Sequence, residues 1–167
     1  ADFQFDTRKE FNKEALDRVI EKMNNTEKDI LLLGGDYTNW EGKVIPFFKE
    51  FKKVKKPKYG IYSITGNHDY SNHDLVLSEL EKLEIFNLEN EKVIIKKNNQ
   101  EIIIGGVEDL WHGNSDVSKV LEEVSEKDFM ILLSHNPDYF EEMTNDEKNK
   151  IDITLSGHTH GGMISFF

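Results

Sequence analysis

An α/β layered fold with mixed sheets is what this 167-residue sequence predicts. Apolar runs of strand length alternate with stretches whose apolar residues recur at helical spacing, the pattern of βα units. One pair of runs, Val93-Ile94-Ile95 and Ile102-Ile103-Ile104, instead flanks the polar segment Lys96-Lys97-Asn98-Asn99-Gln100 and reads as a β-hairpin.

The elements follow in order. Phe11, Ala15, Leu16, Val19, Ile20 and Met23 share one helical face, and Thr7 with Glu10 has the spacing of a capping box ahead of them. Residues 30–33 make a short buried strand that runs into Gly34-Gly35-Asp36. Val44, Ile45, Phe47, Phe48, Phe51 and Val54 form a second helix, halted before Pro57. Residues 59–65 are strand-like and break at Gly66-Asn67, after which Leu75, Leu77, Leu80 and Leu83 mark a third helix. Beyond the hairpin, Val117, Val120, Leu121 and Val124 predict a short helix. Residues 129–133 form a strand ended by Ser134-His135-Asn136-Pro137, and residues 151–155 form the last one. No linker or internal repeat divides the chain, so residues 1–167 form one domain. It opens on Ala1-Asp2 and stops inside an apolar run, and so reads as cut at both ends.

Composition narrows the functions. With 21 basic and 32 acidic residues the formal charge is −11, which argues against a nucleic-acid partner. The same charge repels a phosphate-bearing substrate unless bound cations reverse the local potential. The chain has no cysteine, which excludes disulfides and thiolate metal sites. No apolar stretch reaches membrane-spanning length and no signal-peptide pattern opens the sequence.

Four apolar runs end alike. Residues 31–33 lead to Asp36, residues 61–65 to Asn67-His68-Asp69, residues 131–133 to His135, and residues 153–155 to His158 and His160. As neighbouring strands they would set these side chains along one sheet edge, where open α/β folds place ligands. Taken singly, an Asp or Asn after glycine is an ordinary turn residue, and a His after a strand an ordinary polar group. Taken together, with His158 and His160 one residue apart between glycines, they point to a metal site.

Gly34-Gly35-Asp36, Gly66-Asn67-His68-Asp69, Ser134-His135 and Gly157-His158-Thr159-His160 resemble, in order, the signature blocks of the calcineurin-like metallophosphoesterases. The intervening text is similar to a bacterial branch of phosphodiesterases and envelope-lipid phosphohydrolases. The resemblance implies a four-layer α/β/β/α sandwich with the metal site at the carboxyl ends of the strands. It also implies two divalent ions, manganese favoured over iron or zinc. Asp36 would bridge them. Asn67, His135 and His158 would complete one shell, and Asp2 and His160 the other. His68 would assist the leaving group, and Asp69 would hold the His68 tautomer. A water shared by the ions would attack phosphorus.

One departure stands out. Asp2-Phe3-Gln4 occupies the place of the family's Asp-x-His, so Gln4 would supply an amide oxygen, a weaker donor than imidazole, to the first ion. The expected activity is phosphodiester hydrolysis of a small or lipid-linked phosphate, at a bacterial membrane surface or in the cytoplasm. The alternative is a catalytically impaired metal-binding or interaction module. A nuclease uses the same chemistry but is disfavoured by the acidic balance. Glu108, Asp109, Trp111 and His112 are expected near the cleft or at an exposed hairpin end. The lysines between positions 49 and 58 read as a solvated face, and His73 as a surface residue.

Overall fold

The computed structural model describes residues 1–6, 13–39 and 41–160. Two sheets lie face to face between helices, which makes four layers. The first sheet is parallel: β1 (Leu31–Gly34) pairs with β2 (Ile61–Ile64), and β2 with the two-residue β3 (Phe86–Asn87). The second is mixed. β4 (Glu91–Lys97) and β5 (Gln100–Gly106) form the expected antiparallel hairpin. β6 (Met130–Ser134) and β7 (Ile153–Ser156) then add in parallel.

Three apolar clusters fill the three spaces between the layers, and strand alternation assigns residues to them. Leu31 and Leu33 face α1 (Lys13–Asn25), α2 (Val44–Phe51) and α3 (His73–Lys82), while Leu32 faces the other sheet. The helical layer is aromatic: Phe47 lies 5.3 Å from Phe3 and 5.4 Å from Phe51, ring centre to ring centre. Tyr62, Ile64, Ile95, Ile104 and Leu133 fill the space between the sheets. Ile103, Met130 and Leu132 pack against α4 (Val117–Val120) and α5 (Tyr139–Glu142) on the far side.

Several expectations change. The four runs that carry the metal-capable residues do not share one sheet edge: β1 and β2 belong to the first sheet, β6 and β7 to the second. Their carboxyl ends still meet, because the two sheets pack with these ends at the same pole. The helix expected through Val124 stops at Val120, since Leu121 and Val124 reach the core from a turn. α5 was not foreseen, nor was α6 (Asn145–Lys148), although Thr144 and Glu147 form a capping box legible in the sequence. Thr7, Glu10 and Phe11, read as the start of the first helix, lie outside the described residues. The lysines from Lys49 to Lys58 are exposed, with Lys53 paired to Glu50 and Lys56 to Glu84, as a solvated face requires.

Candidate metal centre

The site begins with two glycine loops that touch. Gly35 follows β1 with φ +83°, and a β-carbon there would collide with the backbone nitrogen of Gly66, after β2. A β-carbon on Gly66 would in turn collide with Asp36 Oδ1 and stand 2.6 Å from His135 Cε1. Only glycine permits the first conformation without strain, and only glycine permits this closeness at the second. The loops are stitched by buried Asp69. Its carboxylate accepts the backbone N–H groups of Asp36 at 2.7 Å, Tyr37 at 2.9 Å and Gly66 at 2.9 Å.

That arrangement gives Asp69 a structural task besides the role expected for it. It holds the Asp36 and Gly66 loops together through the main chain. Burial pushes its carboxyl up to about 7, against the pull of the three N–H donors.

Asp36 is buried at the junction of two groups of side chains. On one side, Asn67 Oδ1 lies 3.2 Å from His135 Nε2 and 2.9 Å from His158 Nδ1, and His135 Nε2 lies 3.4 Å from Asp36 Oδ2. On the other, Gln4 Nε2 lies 3.3 Å from Asp36 Oδ2 and 3.1 Å from His160 Nε2, which stands 4.0 Å from Asp2 Oδ1. Asp2 also accepts the His158 backbone N–H at 2.8 Å, tying the groups together. Asp2, Asp36 and His135 present ligand atoms all within 4.8 Å of one another. The structure thus gathers all seven residues singled out as metal-capable. His68 is exposed, and its backbone N–H donates to Asp36 Oδ1 at 3.0 Å.

The donor chemistry fits a cation. His135 is fully buried, and its Nδ1–H is spent on the Gly34 carbonyl at 2.7 Å. In the neutral ring the Nε2 lone pair then faces the Asp36 carboxylate and the Asn67 side-chain oxygen, a position that a proton or a metal ion would fill. The pKa directions agree. Burial works against the charge on both partners, but their mutual hydrogen bond and attraction win. Asp36 is held below the usual carboxylate value and His135 above the usual imidazole one. Gln4 departs from expectation: its amide nitrogen, not its oxygen, faces Asp36.

Backbone strain marks the same place. Asp2, Gln4, Asp36, His158 and His160 all have positive φ, between 42° and 66°. Non-glycine residues adopt this conformation rarely, and it concentrates at functional sites. Sequence reasoning missed this, and the only local signal was the run of flanking glycines. It also missed Asn90, whose side chain bonds Glu108 and the backbone at 108, 114 and 116. That network shapes the loop carrying Trp111, whose ring meets His158 edge to face at 4.5 Å. His73 pairs with Glu89 at 3.0 Å, apart from the candidate ligands.

Comparison with known proteins agrees with this geometry. The model of the calcineurin-like phosphoesterase family matches residues 1–162. "Uncharacterized protein YpbG" of Bacillus subtilis is 29% identical over 94% of this chain, and an uncharacterized metallophosphoesterase of Aquifex aeolicus 31% identical over 90%. The chain spans 61% and 59% of those relatives' own lengths. A "Transmembrane protein with metallophosphoesterase domain" from Danio rerio is 28% identical, with 37% of its length matched. Among solved structures, the phosphopantetheinyl hydrolase of Mycobacterium tuberculosis covers 99% of the chain at TM-score 0.61 and 11% identity, with 83% of its own length matched. The NAD nucleotidase of Haemophilus influenzae covers 87% at TM-score 0.61 and 18% identity, with 32% of its own length matched. At such identities the likeness is one of fold. Strand-end aspartate, asparagine and histidines, glycine loops in contact and the match over residues 1–162 together make the chain a member of the calcineurin-like phosphoesterases, a family of hydrolases that work with divalent metals.

Proposed function

We propose that this chain is the catalytic domain of a phosphodiesterase with two divalent cations, manganese favoured, on either side of Asp36. The observation that supports this most is the position of Asp36 Oδ2, within 3.4 Å of His135 Nε2 and within 3.3 Å of Gln4 Nε2. Asn67, His135 and His158 would hold one ion. Asp2, His160 and Gln4 would hold the other, Gln4 after a half-turn of its amide that exchanges nitrogen for oxygen. When bound, such ions neutralise phosphoryl oxygens and lower the pKa of water.

The chain's own residues do the rest. Asp36 and Asp2 would supply the negative charge that retains the cations, which in turn would let a protein of net charge −11 accept an anion there. His68, whose backbone N–H donates to Asp36, carries an exposed imidazole that would give a proton to the departing oxygen. Asp69 keeps both loops in register through the backbone. The substrate class is a small or lipid-linked phosphodiester. Two relatives are named transmembrane proteins, while no helix among the described residues is long and apolar enough to cross a membrane.

A second reading, a metal-binding module without turnover, rests on the Gln4 amide nitrogen turned toward Asp36. Hydrolysis of an aryl phosphodiester with added Mn²⁺, and its loss on chelation, separates the two. Under the phosphodiesterase reading, His68→Ala lowers turnover by roughly 10²–10⁴-fold with metal content unchanged. Equal loss of both would contradict the role given to His68. An absence of metal-dependent hydrolysis would leave only the module.

A further inference from the structure

Trp111 is 58% exposed, yet it sits on a loop held by several hydrogen bonds. Buried Asp109 accepts the backbone N–H groups of Trp111 at 3.1 Å and His112 at 3.0 Å. Gly113 N–H donates to the Asp109 carbonyl at 2.9 Å. Behind this turn, Glu108 accepts the Asn114 N–H at 2.6 Å and the Asn90 amide at 3.0 Å, and Asn90 Oδ1 accepts from Asp116 at 2.8 Å. A large apolar side chain left to solvent on a rigid support gains little for the fold. It is well suited to binding, because the entropy of ordering it has been spent in folding.

Its neighbours say which group it would meet. The indole stands edge to face with His158 at 4.5 Å, on the Asn67–His135–His158 side of the centre. The next residue, His112, lies 6.0 Å from the ring of Tyr70, which follows His68 by two residues. The Tyr70–His112 contact brings the loop that carries Trp111 against the segment that carries His68.

The geometry points to Trp111 as a specificity-determining residue that stacks a planar, aromatic ester substituent on the leaving-group side. This rests on the phosphodiesterase reading above. It adds that the substrate class carries a ring, such as a base or an aryl group, rather than a small alkyl group. Trp111 touches the substituent and holds no metal.

The test is binding of phenylphosphonate and methylphosphonate to the Mn²⁺-loaded protein, followed by indole fluorescence and calorimetry. The chain has two tryptophans, so a Trp40→Phe background isolates the Trp111 signal. Phenylphosphonate should bind about fivefold more tightly than methylphosphonate and quench Trp111, a ratio typical of one aromatic contact. Trp111→Ala should remove the preference, Trp111→Phe should keep most of it, and both should retain metal content. An unchanged preference in Trp111→Ala would overturn the assignment. So would a loss of metal in that variant, which would show that the indole merely props His158. If methylphosphonate and phenylphosphonate both fail to bind the parent protein, the phosphodiesterase reading falls and takes this inference with it. Methylphosphonate binding without a phenyl preference overturns only the stacking role.

Discussion

The two sides of the candidate metal centre are built in different ways. Asn67, His135 and His158 stand just past the ends of β2, β6 and β7, and His135 is fully buried with one ring nitrogen fixed to the Gly34 carbonyl. Asp2, Gln4 and His160 belong to no strand or helix, all three have positive φ, and the His160 side chain is exposed by about a third (31%). The first side is shaped before any ion arrives. The second is held by a few hydrogen bonds, from Asp2 and Gln4 backbone N–H groups to Gly35 and Asp36 and from the His158 backbone to Asp2. Preorganised donors bind more tightly than donors that must be ordered, so under the two-cation proposal the sides should differ in affinity, and the amide of Gln4, a weaker donor than imidazole, widens the difference.

Removing the shared residue should erase that difference. Under the two-cation proposal Asp36→Ala takes a ligand atom from both sides, and it leaves His135 without its carboxylate partner. Inductively coupled plasma analysis should find neither ion retained, and turnover should fall by more than the roughly 10–100-fold typical of a lost supporting residue. Retention of one equivalent would mean that Asp36 serves only one side.

A smaller effect, biased toward the buried side, is expected from Gly66→Ala. The added methyl has to displace Asp36 Oδ1 and the His135 ring. Overpacking of this kind costs about 1–3 kcal/mol, and metal titration should show about 10–100-fold weaker binding. Denaturant unfolding without metal measures the first and calorimetry the second. An unaffected variant would show that the loops have room to part.

Asp69→Asn should lie close behind. An amide can present only one oxygen where the carboxylate presents two to three N–H donors, so one donor is left unpaired at about 1–3 kcal/mol. Chelated protein should show the loss in a thermal melt. Stability equal to the parent would mean that the stitching is dispensable.

Gln4→His acts only on the weaker side and should have the smallest effect. An imidazole in place of the amide should raise the affinity of the second cation by about tenfold and leave the first unchanged. Two-phase Mn²⁺ titration reads both. A rise in the first phase would place Gln4 on the wrong side of Asp36.

Much of this was legible in the residues. Four apolar runs ending in Asp36, Asn67, His135 and His158 were identified from pattern alone, as was the hairpin around Asn98-Asn99. Local sequence carries such information because burial and backbone freedom are local demands: β-branched and leucine-rich runs suit buried strands, and glycine suits tight turns. The short elements were harder. β3 has two residues and exists only because β2 offers it a partner, and the helix around Val117 is cut short by packing that no periodicity records.

The sequence by itself offered the candidate ligands, and it determined that Asp36, Asn67, His135, His158 and His160 each follow a strand. Spacing and residue type are written in the chain, and so is the charge that makes an anion's entry depend on cations. Tertiary structure alone decided that the four strands belong to two sheets meeting at one pole. It alone turned Asp69 to the backbone and gave Gln4 an amide nitrogen facing Asp36. These are properties of contacts between residues as much as 156 positions apart, such as His158 and Asp2, and only packing in three dimensions creates them.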